Sequence, residues 1–354
     1  MSVSRNVRRV VALIVALLTT HPVTAAQCAR SVRQGGRVQL AVADSACQPA
    51  VVLAAAKGVS TEMHHVDFHI DEGMVLQIEH LRGTLVPASP KEPVSLDDNR
   101  SFVLDLYTAD IAIDTVSLTT LLNRHVFGYP GSPLTRLRAH IEGDQLVQTG
   151  VLHKGINLPF RIRATIGVTP DGRIRIHPVA IRVLGLGVTN AMHTFGVHLG
   201  GLIKLRPGRG ASIESNDIIL DALAILPPPR IRGRLSAVAI RGPLITQTFR
   251  PSTGQDTTTL HAADRATPNY MFFRHGVLRF GKLTMQDADL LIVDANPTTP
   301  FDFSLARYNA QLVAGYSQST STLGLVVHMP DLRSLARTGR DPANAPTHAR
   351  ATTR

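Results

Sequence analysis

From residue 63 onward the sequence alternates apolar and polar side chains with a period of two, and glycine-containing turns separate the runs. Each such run presents one apolar face, so it can only be stable as a strand packed against another layer. A β-rich chain follows. Residues 63–70 and 74–86 flank "DEG", which supplies a glycine suited to a hairpin turn. "LPFRIRATIGV" and "RIRIHPVAIRV" flank "TPDG", where Pro170 presets the first corner of a type I turn and Gly172 ends it. "SFVLDLYTADIAID" reads as a further hairpin.

Two segments break the alternation. In "DTVSLTTLLNRHVFGYPGSP", Val116, Leu121, Leu122 and Val126 recur at near-helical spacing, with Asp114 or Ser117 to cap the start and Gly128 and Pro130 to stop it. "GLGVTNAMHTFGVHLGGLIKLRPG" carries a broader apolar face: Val188, Ala191, Met192, Phe195, Leu199 and Leu202. Its glycines at 196, 200 and 201 each lower helix propensity by about 1 kcal/mol relative to alanine. They admit a close neighbour, either a tightly packed strand or an acyl chain.

The first 26 residues have a different pattern: Arg5, Arg8 and Arg9, then "VVALIVALL", then small residues ending at Ala26. This is the three-part form of a secretory signal peptide, with an uncleaved membrane anchor as the alternative. It predicts export to the periplasm or outside the cell. Cys28 and Cys47 are the only cysteines, and in an oxidising compartment they are expected to form a disulfide contributing about 3 kcal/mol. Removing residues 1–26 takes away three arginines and no acid, so +8 of the +11 net charge remains. With no tryptophan and few tyrosines to interleave with that charge, the chain is expected to meet a lipid or membrane surface and no nucleic acid.

The resulting organisation is a signal peptide at 1–26 and an N-terminal segment with the Cys28–Cys47 bridge at 27–60. The main domain occupies 61–249. A polar loop follows at 250–268, then a C-terminal β-rich block at 269–332, hairpin-like around "RHG", and a disordered tail at 333–354.

Candidate chemistry is sparse. No G-x-S-x-G, S-x-x-K, H-E-x-x-H or phosphate-loop pattern occurs, so a non-enzyme without a cofactor is expected. "MHHVDFHIDE" at 63–72 concentrates histidines and acids. On a regular strand His65, Asp67, His69 and Asp71 share one face while His64, Val66, Phe68 and Ile70 share the other. His65, Asp67 and His69 could therefore serve a metal-dependent hydrolase, but residues two apart lie about 7 Å from each other along a strand. A metal would need a further ligand from the next strand, such as Glu79 or His80. Asp294 and Asn296, just before Pro297, read as a turn. Arg161, Arg163, Arg173, Arg175, Arg232 and Arg234 recur at spacing two within their segments, and if those strands are neighbours they form a cationic stripe suited to lipid headgroups.

"VSLTTLLNRHVF" is followed by a glycine-bounded strand at Gly143 to Gly150, a "PF" strand at Pro159 and Phe160, and a "DGxIxIxP" hairpin at Asp171 to Pro178 that leads into the apolar helix. Over roughly residues 101–249 this order resembles the LmeA-like branch of the tubular lipid-binding (TULIP) proteins. The resemblance implies an α+β, β-dominated fold in which a long curved antiparallel sheet wraps around one or two helices. It also implies an apolar groove for a lipid, lined by Val188, Ala191, Met192, Phe195, Leu199 and Leu202, and it supplies no catalytic residue. The leading expectation is an exported envelope protein that binds a long apolar ligand. The alternatives are an interaction protein with a solid core and a basic docking face, and the metal-dependent hydrolase.

Overall fold

The computed structural model describes residues 58–183, 210–250, 268–322 and 324–337, all within one compact unit, Leu53–Arg354. The signal peptide, both cysteines and the apolar helix expected near 187–205 lie outside the described residues, as does the polar loop apart from its first residue and its last.

β1 (Val59–Asp71) and β2 (Met74–Pro87) form the first hairpin, starting slightly earlier than the spacing suggests. After the short β3 (Val94–Ser95) comes β4 (Phe102–Asp114), one unbroken strand and not the hairpin expected there. Tyr107 and Thr108, at its middle, make a bulge; neither is a turn residue. Asp114 then caps α1 (Thr115–Leu121) by accepting from the Ser117 amide at 2.7 Å, and one π-helical turn, Leu122–Val126, completes it. β5 (Leu134–Glu142), β6 (Gln145–Lys154), β7 (Ile156–Val168) and β8 (Ile174–Val183) form an antiparallel meander. The β7–β8 turn is the expected one: Gly172 donates to the Thr169 carbonyl at 2.9 Å and has φ of 85°, which glycine adopts without strain.

β9 (Ala211–Glu214) and β10 (Asp217–Leu220) extend that meander, while β11 (Arg230–Arg232), β12 (Leu235–Arg241) and β13 (Leu244–Phe249) return to β4. The C-terminal block supplies β14 (Tyr270–Arg274), β15 (Leu278–Phe280), β16 (Leu283–Met285), β17 (Asp289–Asp294) and β18 (Phe301–Ser304). It continues with α2 (Tyr308–Ala314), β19 (Tyr316–Ser319), β20 (Leu325–Met329) and α3 (Leu332–Arg337). No hairpin forms around "RHG": β14 pairs β17, whereas β15 pairs β16 and β3 in a separate sheet. Residues 333–337, expected to belong to a disordered tail, are instead part of α3, where Leu335 is buried. Residues 338–354 lie outside the description.

The fold is β-dominated, as the alternation implies, with large antiparallel sheets and few helices. An 11-stranded sheet follows the order β12-β13-β4-β2-β1-β14-β17-β20-β19, with β11 added beside β4 and β18 beside β1. A 6-stranded sheet has the order β5-β6-β7-β8-β10-β9. Helix α1 ties the two together. Ser117 Oγ accepts from the Val75 amide of β2 at 3.1 Å, and the Asn123 side chain, one turn on, bonds both the amide and the carbonyl of Leu137 in β5. Those two backbone groups sit where a bulge interrupts the β5–β6 ladder, so Asn123 satisfies what the sheet leaves open.

The three longest neighbouring strands each change phase once. Buried residues fall at 59, 61 and 63 and then at 66, 68 and 70 in β1; at 74, 76 and 78 and then 81, 83 and 85 in β2; and at 102, 104 and 106 and then 109, 111 and 113 in β4. The slips in β2 and β4 are bulges in their shared ladder, and at the β1 slip His65 has φ of 49°. His64 therefore does not share the inward face with Val66; it turns outward and stacks on Tyr270. Further along, Gly83 of β2 passes so close to β4 that a Cβ there would meet the Asp105 carbonyl oxygen at 2.4 Å. Gly83→Ala is expected to destabilise by about 1–3 kcal/mol, through forced strand separation, and to lower the midpoint of urea unfolding.

Candidate functional site

The inner faces of the two large sheets meet along a seam lined, among the described residues, by 26 side chains, of which Gln247 alone is polar. β1, β2, β4 and β13 line one wall with residues such as Phe68, Ile78, Leu106, Ile111 and Phe249. The opposite wall is Leu146, Ile166, Ile174, Ile176 and Leu220, and α1 closes one end with Leu118 and Leu121. The sequence builds this surface through the alternating phase of each strand, and the slips at 63/66, 78/81 and 106/109 keep it continuous along strands of 13 or 14 residues. The free space is narrow, about 90 Å³.

Leu223, Leu226 and Ile231 also line a second, wider cavity of about 700 Å³, a vestibule bordering the seam. Its rim is the turn 221–229 followed by β11. Asp221 holds that turn by accepting from the amides of Leu223 and Ala224, both at 3.1 Å, and Asn99 Nδ2 donates to the Pro228 carbonyl at 3.2 Å. In sequence this stretch reads only as a proline break before new strands; its role as a rim depends on β11 pairing with β4, far away in the chain.

The six ligand-lining residues expected on the 187–205 helix lie outside the described residues. The arginines do not make one stripe. β7 and β8 are neighbours in the 6-stranded sheet, but Arg232 is on β11 beside β4 in the other sheet, and Arg234 lies between β11 and β12. Several are also engaged. Arg161 pairs with Glu142, Arg173 with Asp171 at 2.6 Å and Glu214 at 2.8 Å, and Arg232 with both carboxylate oxygens of Asp105 at 2.6 and 3.1 Å. Arg234 donates to the Pro170 carbonyl at 2.6 Å. Arg163 and Arg175 point to solvent.

On β1, His65, Asp67 and His69 do share the outward face, but they do not converge. His65 Nε2 lies 2.7 Å from Glu79, the neighbour-strand residue expected to complete a site, while His69 Nε2 lies 2.5 Å from Asp302 on β18. Asp71 takes His125 at 2.9 Å. Among the described residues no three His, Cys, Asp or Glu side chains are placed to hold a metal.

His69 instead belongs to a buried polar hub. Asp302 accepts from its ring and from the Arg333 amide at 2.9 Å; the Asp302 amide donates to Asp331 at 2.9 Å, and Gln311 Nε2 donates to the Asp302 carbonyl at 2.9 Å. Burial pushes the Asp302 carboxyl up, yet the His69 bond and the Arg333 amide and charge outweigh it and hold the group below the usual carboxylate value. Asp67 and Asp331 behave oppositely: burial raises both. For Asp67 the Asp302 and Asp331 charges add to the rise, against Arg333 and His69. Asp294 is the turn residue expected, accepting from the Asn296 amide at 2.8 Å.

The chain is thus a two-layer β protein with an aliphatic interior, and no helix among the described residues is long and apolar enough to cross a membrane. No family model, curated protein or solved structure matches it.

Asp67 offers a pH test. A carboxyl raised on folding contributes its full stability below the ordinary carboxylate value and loses it as pH rises through the raised one. Asp67→Asn, neutral throughout, is therefore expected to be more stable than the wild type at pH 7, by about 1 kcal/mol or less given the partial exposure. The gap should close as pH falls below the ordinary carboxylate range, as read from unfolding midpoints across pH.

Proposed function

We propose that the chain is an exported cell-envelope protein that binds a lipid or other long apolar ligand between its two sheets. The observation that carries this reading is the seam, whose lining among the described residues has one polar member and shares Leu223, Leu226 and Ile231 with the vestibule. Each methylene moved from water into such a lining gains about 0.8 kcal/mol. The export component rests on Arg5, Arg8 and Arg9 ahead of "VVALIVALL".

The 90 Å³ of free space cannot hold a whole acyl chain, so occupancy requires the sheets to move apart. The same observation favours a second reading, an interaction protein with a closed interior. Lipid extraction of the mature protein purified from native membranes, with mass spectrometry, separates them: co-purifying lipid, and displacement of a fluorescent fatty acid by it, supports the first reading, and its absence supports the second. Leu223→Arg, at the junction of vestibule and seam, is expected to weaken binding of the fluorescent fatty acid at least about tenfold. Because Leu223 is only partly buried, the unfolding midpoint should change little.

A further inference from the structure

Among the described residues that line the vestibule, one guanidinium has no ion-pair partner. Asp221 is committed to the amides of the turn it holds, and Asp105 to the guanidinium of Arg232. Arg234, two residues further, donates to the Pro170 carbonyl. Arg230 remains: it lines the vestibule, is exposed, and has no ion pair among the described residues. The next residue, Ile231, lines both the vestibule and the seam, so the strand that carries Arg230 borders the apolar interior. A planar guanidinium with free N–H groups matches carboxylate and phosphate oxygens in pairs.

We propose that the vestibule is a headgroup site, in which Arg230 binds a carboxylate or phosphate monoester at the end of a single apolar chain whose tail enters the seam. This rests on the apolar-ligand reading above and narrows it to anionic, single-chain amphiphiles. Arg230, Arg232 and Arg234 recur at spacing two in the sequence, and the structure singles out the first by engaging the other two.

Titration calorimetry of the mature protein with dodecanoate, dodecyl phosphate and dodecanol, each below its micellar concentration, tests it. The wild type is expected to bind one or both anions about tenfold more tightly than the alcohol, a preference that shrinks with added salt. The favoured anion tells carboxylate from phosphate. Arg230→Glu should abolish the preference with alcohol binding retained, and Arg230→Lys should keep part of it. Equal affinity for anions and alcohol in the wild type, or equal losses for all three ligands in Arg230→Glu, overturns the headgroup assignment while leaving the seam. Binding of none of the three removes the apolar-ligand reading itself, and the assignment with it.

Discussion

Contact between the aliphatic faces of two sheets is the interaction on which everything else in this protein depends. Neither sheet can stand alone, since each presents a surface of leucine and isoleucine that water would not tolerate. With no tryptophan available, that surface is built from aliphatic side chains and phenylalanines, which interlock less rigidly than fused rings. A seam of this kind can be closed and still be separable, because its walls are joined by dispersion and exclusion of water and by few directional bonds. Directional bonds cross at α1, through Ser117 and Asn123, and again at the β7–β8 turn, where Arg234 donates to the Pro170 carbonyl.

Much of the architecture was legible because it is local. The alternation, the "TPDG" turn, the Asp114 cap and the Asp294 turn each follow from residues within a few positions of each other. The phase slips were equally present in the text of the sequence: Met63 to Val66, Ile78 to Leu81 and Leu106 to Ala109 are apolar steps of three in three successive segments. A strict two-residue template passes over them, which is why His64 was assigned to the wrong face and the middle of β4 was taken for a turn. What could not be read was long-range. Whether Arg232 meets Asp105, or His69 meets Asp302, depends on pairings across 127 and 233 residues that no spacing rule contains. The site shares this division, since the aliphatic walls were foreseeable and the rim was not.

The histidines of "MHHVDFHIDE" illustrate how composition misleads about chemistry. Each is consumed by a different neighbour: Tyr270, Glu79 and Asp302. The last of these anchors a hub that gathers β1, β18, α2 and α3, and it does so by setting an ionised Asp302 against two carboxyls that burial drives toward the neutral form. Opposed shifts of this kind make the junction of the C-terminal block with β1 sensitive to acidity in both directions.

That junction has a further meaning for how the molecule is made. On the side away from β2, strand β1 is completed by two separate segments, β14 along its first half and β18, running parallel, along its second. Both come from the last third of the chain. A polypeptide synthesised from its N-terminus therefore carries a bare strand edge for some two hundred residues of growth, with Phe68 and Val66 beside it. Pairings of such separation form slowly and leave unsatisfied edges open to other chains meanwhile. Closure of this sheet is thus a late event, and the order of synthesis makes β1 the segment most in need of protection before the chain is finished.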